Sequence, residues 1–162
     1  MRTKIQNKTA SAEIESLGAQ LMSLKNAEGT EYLWQGNPAF WSSRAPVLFP
    51  TVGNVRGGTT IINGKPYALK RHGFARNLEH SVLDSGANFI AYSLKDSEET
   101  RKLYPFVFEL RVTYRLIENG LTTEFAVFNR GDEELPWGGW GWRGGGGRLR
   151  CASVSMCWTN TP

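Results

Sequence analysis

Two short runs hold the side chains best suited to chemistry: Arg44-Ala-Pro-Val-Leu-Phe-Pro50 and Arg71-His-Gly-Phe-Ala-Arg76. Arginine offers a rigid fork of donors, and histidine donates or accepts a proton near neutral pH. Set on stiff apolar segments, such groups suit a hydroxyl-rich ligand. Arg71 and Arg76 flank His72, and two nearby cations favour the neutral ring. A neutral imidazole can hydrogen-bond a ligand hydroxyl or ether oxygen. On residue type alone, His72 reads equally as a turn or core histidine bonded to backbone. Gly73 lets the backbone approach a ligand closely.

The other polar residues carry weaker signals. Arg44 reads as a donor at a cleft edge or as a surface cap, and the surface reading is favoured because charges are rarely buried unpaired. Arg76 could pair with Glu79 or Glu31. His80 lies in an alternating stretch and reads as a surface or edge residue. Glu13, Glu15, Glu109 and Glu124 fall on strand positions that look solvent-facing, and none forms an evident catalytic pair. Gly53-Asn-Val-Arg-Gly-Gly58 lacks the Gly-Lys-Ser/Thr ending of a phosphate loop, and no helix follows it. Cys151 and Cys157 have no nearby histidine, so no metal site is expected.

The elements that must position these residues read as strands. Residues 3–16 alternate loosely and end at a turn that Gly18 can make; Gln20–Leu24 follows as a second strand. Glu31–Trp34 reads as a short strand, and Val47–Val52 as a buried strand or extended core segment. Thr59–Ile62, Asn63-Gly64 and Lys65–Leu69 form the clearest hairpin signal. Leu78–Leu83 and Asn88–Leu94 read as strands around Asp84-Ser85-Gly86, with residues 96–102 as one helical turn or a loop. Phe106, Phe108, Leu110, Val112, Tyr114 and Leu116 share one face of a half-buried strand. Leu121–Phe128 returns beside it. Eight to ten strands and little helix predict an all-β sandwich with a concave face.

Composition agrees with one globular unit. The chain has 162 residues, 40% hydrophobic and 21% charged, enough for one domain with a core. No apolar stretch reaches the roughly 20 residues of a membrane span. The N-terminus lacks the apolar segment of a secretory signal, so a cytoplasmic protein is expected. The formal charge is +4, but Arg143, Arg148 and Arg150 supply three of the four after Pro136, where no acid occurs. The remaining body is nearly balanced and shows no basic stripe for nucleic acid.

The composition breaks near Pro136. Seven of the 18 glycines and four of the six tryptophans lie in residues 137–162, and lysine disappears. No helix or strand period is visible there, which predicts a flexible or frameshifted tail. Residues 1–136 are accordingly read as the sandwich part and residues 137–162 as an atypical Gly/Trp/Arg-rich tail.

Residues from about Ala10 to Asn129 resemble the N-terminal half of the aldose 1-epimerases, or galactose mutarotases. The matching stretches are Ser16-Leu-Gly-Ala-Gln-Leu-Met-Ser-Leu-Lys25, Glu31-Tyr-Leu-Trp-Gln35, Trp41, the Arg44–Pro50 run, Gly53, and Arg71–Arg76. The resemblance implies a galactose mutarotase-type supersandwich, here incomplete, with no metal or organic cofactor. It implies interconversion of the α and β anomers of a hexose by paired general acid–base catalysis. His72 falls on the family's first site histidine, which contacts the sugar. Arg44 falls on a basic position near the substrate in related hexose-phosphate epimerases, and Arg76 belongs to the same motif as His72.

The sequence departs from the family at two places. A second histidine is expected in a Gly-Gly-His-Pro-like segment, where this chain reads Pro136-Trp-Gly-Gly-Trp140. The catalytic glutamate belongs to a C-terminal part that has no counterpart here. The expectation is therefore a sugar-binding half with little or no turnover, self-associating through uncovered sheet edges. The alternatives are a non-catalytic carbohydrate-binding module and a relative of the hexose-6-phosphate epimerases.

Overall fold

The computed structural model describes residues 1–139, 142–144 and 149–157, with side chains through Trp137. Expectations for the remaining tail positions, Trp140 included, lie outside the described residues, as do the side chains of Cys151 and Cys157.

The chain begins with β1 (Arg2–Gln6), β2 (Ala10–Glu15) and β3 (Gln20–Asn26), an antiparallel three-stranded sheet in that order. The loose alternation of residues 3–16 is thus two strands. Asn7 separates them, its Oδ1 accepting the Thr9 and Ala10 backbone N–H groups at 2.9 and 2.8 Å. The Asn63-Gly64 hairpin forms as expected, joining β4 (Thr59–Ile62) to β5 (Lys65–Ala68) with both turn residues at positive φ.

A five-stranded antiparallel sheet forms the other layer. It contains β6 (Ser81–Gly86), β7 (Phe89–Lys95), β8 (Phe108–Ile117) and β9 (Gly120–Asn129). Two short strands, β10 (Trp137–Gly139) and β11 (Trp142–Gly144), pair with each other. The last strand, β12 (Leu149–Cys157), completes the large sheet in the order β12-β9-β8-β7-β6. The sequence of this last segment shows no strand period, but the edge of β9 offers backbone groups that pair without regard to side-chain pattern. A short α-helix, α1 (Glu98–Leu103), starts at a capping box between Ser97 and Thr100.

The core lies between the two layers. Ile5, Ile14 and Leu21 of the small sheet share it with Ile90, Tyr92, Leu110, Val112 and Leu116 of the large one. Tyr114 Oη donates to the Ala19 carbonyl at 2.8 Å, a buried bond that ties the layers together. The alternating face expected along Phe108–Leu116 is the buried one.

Further expectations change. Glu31–Trp34 is a single bridge, Lys25 to Glu31, and not a strand. There the Glu31 carboxylate takes over the pairing, accepting from the Leu24 and Leu33 N–H groups and the Ser23 hydroxyl. Glu109 is not solvent-facing but 3% exposed. Arg111 and Arg130 reach it at 2.7 and 2.6 Å, and Ser93 donates at 3.1 Å, so its charge is buried with partners. His80 is not at the surface either. It is buried, with Nδ1 3.0 Å from the Leu78 carbonyl.

Candidate functional site

The two chemically suggestive runs, more than twenty residues apart, are interlocked in space. Phe49 and Gly73 form an isolated parallel bridge. The Phe49 carbonyl also accepts from Phe74 N–H at 2.9 Å and Ala75 N–H at 3.2 Å. Beneath them, Phe49, Phe74, Tyr104 and Phe108 pack edge-on and tilted, with ring centroids 5.0 to 6.4 Å apart. This aromatic cluster is why the apolar residues alternate with the polar heads: they anchor the runs and leave the heads outside. Val47–Val52 is therefore an extended core segment, not a sheet strand, and its Phe49–Pro50 peptide is cis.

His72 is held by a two-point clasp to Gly53. Its backbone N–H donates to the Gly53 carbonyl at 3.0 Å, and the Gly53 N–H donates back to its Nδ1 at 2.9 Å. Both residues have positive φ, +68° at His72 and +85° at Gly53. For a non-glycine residue this conformation costs about 1–2 kcal/mol, so the surrounding bonds must hold it there. Arg71 Nε points at the other ring nitrogen, Nε2, at 3.1 Å. Partial burial, with the Arg71 and Arg76 cations adding to it, holds His72 below the usual histidine range. The neutral ring expected from the sequence follows, with burial as the larger cause.

Arg76 joins this group through backbone. Its guanidinium donates to the Arg71 carbonyl at 3.2 Å, so it pairs with neither Glu79 nor Glu31. Glu31 is instead engaged by Ser23, Leu24 and Leu33. Arg44 is placed apart, packed against the Gly36 turn, where a Cβ on Gly36 would lie 3.5 Å from its guanidinium carbon. Among the described residues, Nε of Arg44 is buried without a hydrogen-bond partner. Thus His72, Arg71 and Arg76 form one cluster, and Arg44 stands at the start of the segment that braces it.

Gly73 admits Phe49 in place of the expected ligand, because the two backbones touch. Sequence reading misses Gly53 as the residue that orients the imidazole. Its position within a Gly-rich loop is the available signal. It also misses a cavity of about 570 Å³ beside the cluster, lined by Asn54, Arg56, Gly57, Lys70 and Arg71 among others. His72 is not among its lining residues. Arg56, Lys70 and Arg71 bring three cations to a cavity that Val55, Leu69 and Leu103 also line. Among the described residues, no group of three or more His, Cys, Asp or Glu side chains is gathered for a metal. No helix there is long and apolar enough to cross a membrane.

Comparisons with known proteins bear on what this cluster serves. The sequence profile of the aldose 1-epimerase family matches residues 1–139. The chromosomal protein LacX of Lactococcus lactis subsp. lactis is 35% identical over 143 residues, covering 85% of this chain and 48% of LacX. A protein of Escherichia coli (strain K12) described as a putative glucose-6-phosphate 1-epimerase is 29% identical, covering 72% of this chain and 39% of its own length. Among solved structures, a galactose mutarotase related enzyme from Lactobacillus acidophilus superposes with a TM-score of 0.83 at 43% identity. That match covers 85% of this chain and 46% of the enzyme. The chain spans about half the length of the relatives it matches.

Proposed function

Because this chain belongs to the aldose 1-epimerase family, we propose that it forms the sugar-contacting N-terminal part of a protein that interconverts the α and β anomers of a hexose. His72 meets the sugar, and Arg71 and Arg76 flank the contact. In the reaction of such a protein, a base removes the proton of the anomeric hydroxyl while an acid protonates the ring oxygen. The ring opens, the aldehyde carbon rotates, and the ring closes on the other face. Both groups must lie within hydrogen-bond reach of one sugar.

The observation that supports this reading is the clasp between Gly53 and His72. It spends backbone strain to fix an imidazole at the edge of the fold, and strain of this kind gathers at functional sites. Of the site residues that the resemblance implies, the sequence supplies His72, the sugar contact, so the chain by itself is proposed to bind hexose with little or no turnover. Polarimetry on freshly dissolved α-glucose and α-galactose tests the turnover. Rotation should decay at the buffer rate. Acceleration abolished by His72→Ala would instead assign complete catalysis to this chain. Calorimetric titration with the same sugars tests binding.

A phosphorylated hexose is the second reading, favoured by the cavity that Arg56, Lys70 and Arg71 line beside His72. Tighter binding of hexose 6-phosphate than of the parent hexose, weakened by added salt, selects this reading. A non-catalytic carbohydrate-binding module would bind hexoses with no counterpart supplying turnover.

A further inference from the structure

His72 lies between two groups that can only donate. A backbone N–H has no acceptor capacity, and neither does a guanidinium. Yet Gly53 N–H points at Nδ1 at 2.9 Å and Arg71 Nε points at Nε2 at 3.1 Å. A neutral imidazole carries one N–H, so it can accept at one nitrogen only, and an imidazolium at neither. One of the two contacts must give way.

The geometry decides which. The Gly53 amide is fixed at both ends, since its own carbonyl takes the His72 N–H at 3.0 Å. Moving it would break two bonds and leave partly buried backbone groups without partners. Arg71 is exposed, on a long side chain that water solvates readily. Arg71 therefore yields. We infer that Gly53 locks His72 in the tautomer protonated at Nε2, so that the site presents an N–H donor to a ligand oxygen, and that the Arg71 side chain only occupies that oxygen's place until it arrives.

This inference rests on the sugar-site reading for the identity of the oxygen, a ring or hydroxyl oxygen of a hexose, but not for the tautomer. Gly53 is a positioning residue, acting through its backbone. The charged groups facing the ring are Arg71 and Arg76, and both oppose a second proton. His80 provides an internal contrast. Its Nδ1 lies 3.0 Å from the Leu78 carbonyl, which can only accept, so His80 carries its proton on Nδ1. The chain's only two histidines are thus in opposite tautomers.

Long-range proton–nitrogen NMR on the full chain, labelled at histidine nitrogen, reads both tautomers directly. At pH 7 to 8 one ring should show protonated Nε2 and the other protonated Nδ1. The Nε2-protonated ring is assigned by its loss in His72→Gln. Should that variant not fold, the scalar coupling across the hydrogen bond from the Gly53 amide to His72 Nδ1 assigns it. In Arg71→Met the His72 tautomer should be unchanged. Protonated Nδ1 at His72, an imidazolium at pH 7, or a tautomer change in Arg71→Met would overturn the inference. Galactose or glucose should then shift His72 Nε2 and its proton, with Nδ1 little affected. An Nε2-protonated ring that no hexose or hexose 6-phosphate perturbs would leave the lock standing and sink the sugar-site reading.

Discussion

Gly73 and Phe49 are in backbone contact so close that a Cβ on Gly73 would lie 2.1 Å from the Phe49 carbonyl oxygen. This one approach joins the two runs of the site and seats Phe74 and Ala75 on the same carbonyl. Gly73→Ala must therefore push the runs apart as well as adopt φ +70°. Gly57 has a similar φ of +66°, but a methyl group added there would meet nothing within 4 Å. Gly57→Ala should cost about 1 kcal/mol, the left-handed penalty alone. Gly73→Ala should cost at least ~3 kcal/mol, because steric overlap with fixed backbone adds to that penalty. Urea denaturation of both variants checks the difference, and equal midpoints would contradict it.

His72→Asn separates binding from folding. Asparagine tolerates the left-handed region better than most residues, so the φ of +68° is kept at little cost. The imidazole is lost. Hexose affinity should fall about tenfold or more, the worth of a good hydrogen bond, while stability changes by under about 1 kcal/mol. Titration calorimetry beside thermal melts reads both. Unchanged affinity would remove His72 from the site.

Much of the fold is legible in the sequence because strand periodicity and turn chemistry are local. The Asn63-Gly64 hairpin needs only its own residues, and the alternation along Phe108–Leu116 reports its buried face directly. Glu109 and His80 escape such a reading because alternation says which face a residue takes, not whether that face is covered. Arg130, far along the chain, reaches over Glu109, and Arg111 and Arg130 both lie on the Phe128 ring at 4.5 and 4.7 Å. At the site, residue types single out His72 and its flanking arginines as candidates, and the structure gathers them into one cluster. The clasp by Gly53 is invisible in the sequence, since a backbone amide makes the bond and leaves no side-chain signature.

Glu109 should carry a clear acid dependence. The Arg111 hydrogen bond, joined by Arg130 and Ser93 against the opposing effect of burial, lowers its carboxyl from 4.5 to about 2. A depressed acid binds fewer protons folded than unfolded. Its stabilisation is thus full above about 4.5 and is lost as pH falls through about 2. Glu109→Gln should cost about 2 kcal/mol at pH 7, after discounting for the partly exposed arginines. The difference from the parent chain should shrink steadily below pH 4.5. Denaturation series at pH 7, 4 and 2.5 measure it, and a pH-independent difference would contradict the ion-pair account.

The histidines act in a higher window. Burial lowers the affinity of both for a proton, opposed at His80 by the Leu78 carbonyl and Glu79. Each takes up a proton less readily folded than unfolded, so stability is full above about pH 6.5 and falls as pH drops below it. Melting temperature should decline from pH 7 to pH 5. His80→Leu should flatten that decline, because His80 is the more deeply buried of the two. A slope as steep in His80→Leu as in the parent would assign the decline elsewhere.

The surface away from the core predicts self-association. Tyr32, Trp34, Phe40 and Trp41 are exposed within one loop, Phe40 by 81%. Trp34 meets Phe40 edge-on at 6.4 Å and donates its Nε1–H to the Trp41 carbonyl at 2.7 Å, so the aromatic patch is preorganised. β6 closes one side of the large sheet with Val82 and Leu83 exposed, presenting a strand edge that nothing in the described residues pairs. Apolar surface and an open edge together favour association. Sedimentation velocity should show concentration-dependent growth. Val82→Lys should suppress it if the edge drives it, and Phe40→Ser if the aromatic patch does. A parent chain that stays monomeric at high concentration would show that neither surface is sticky enough to matter.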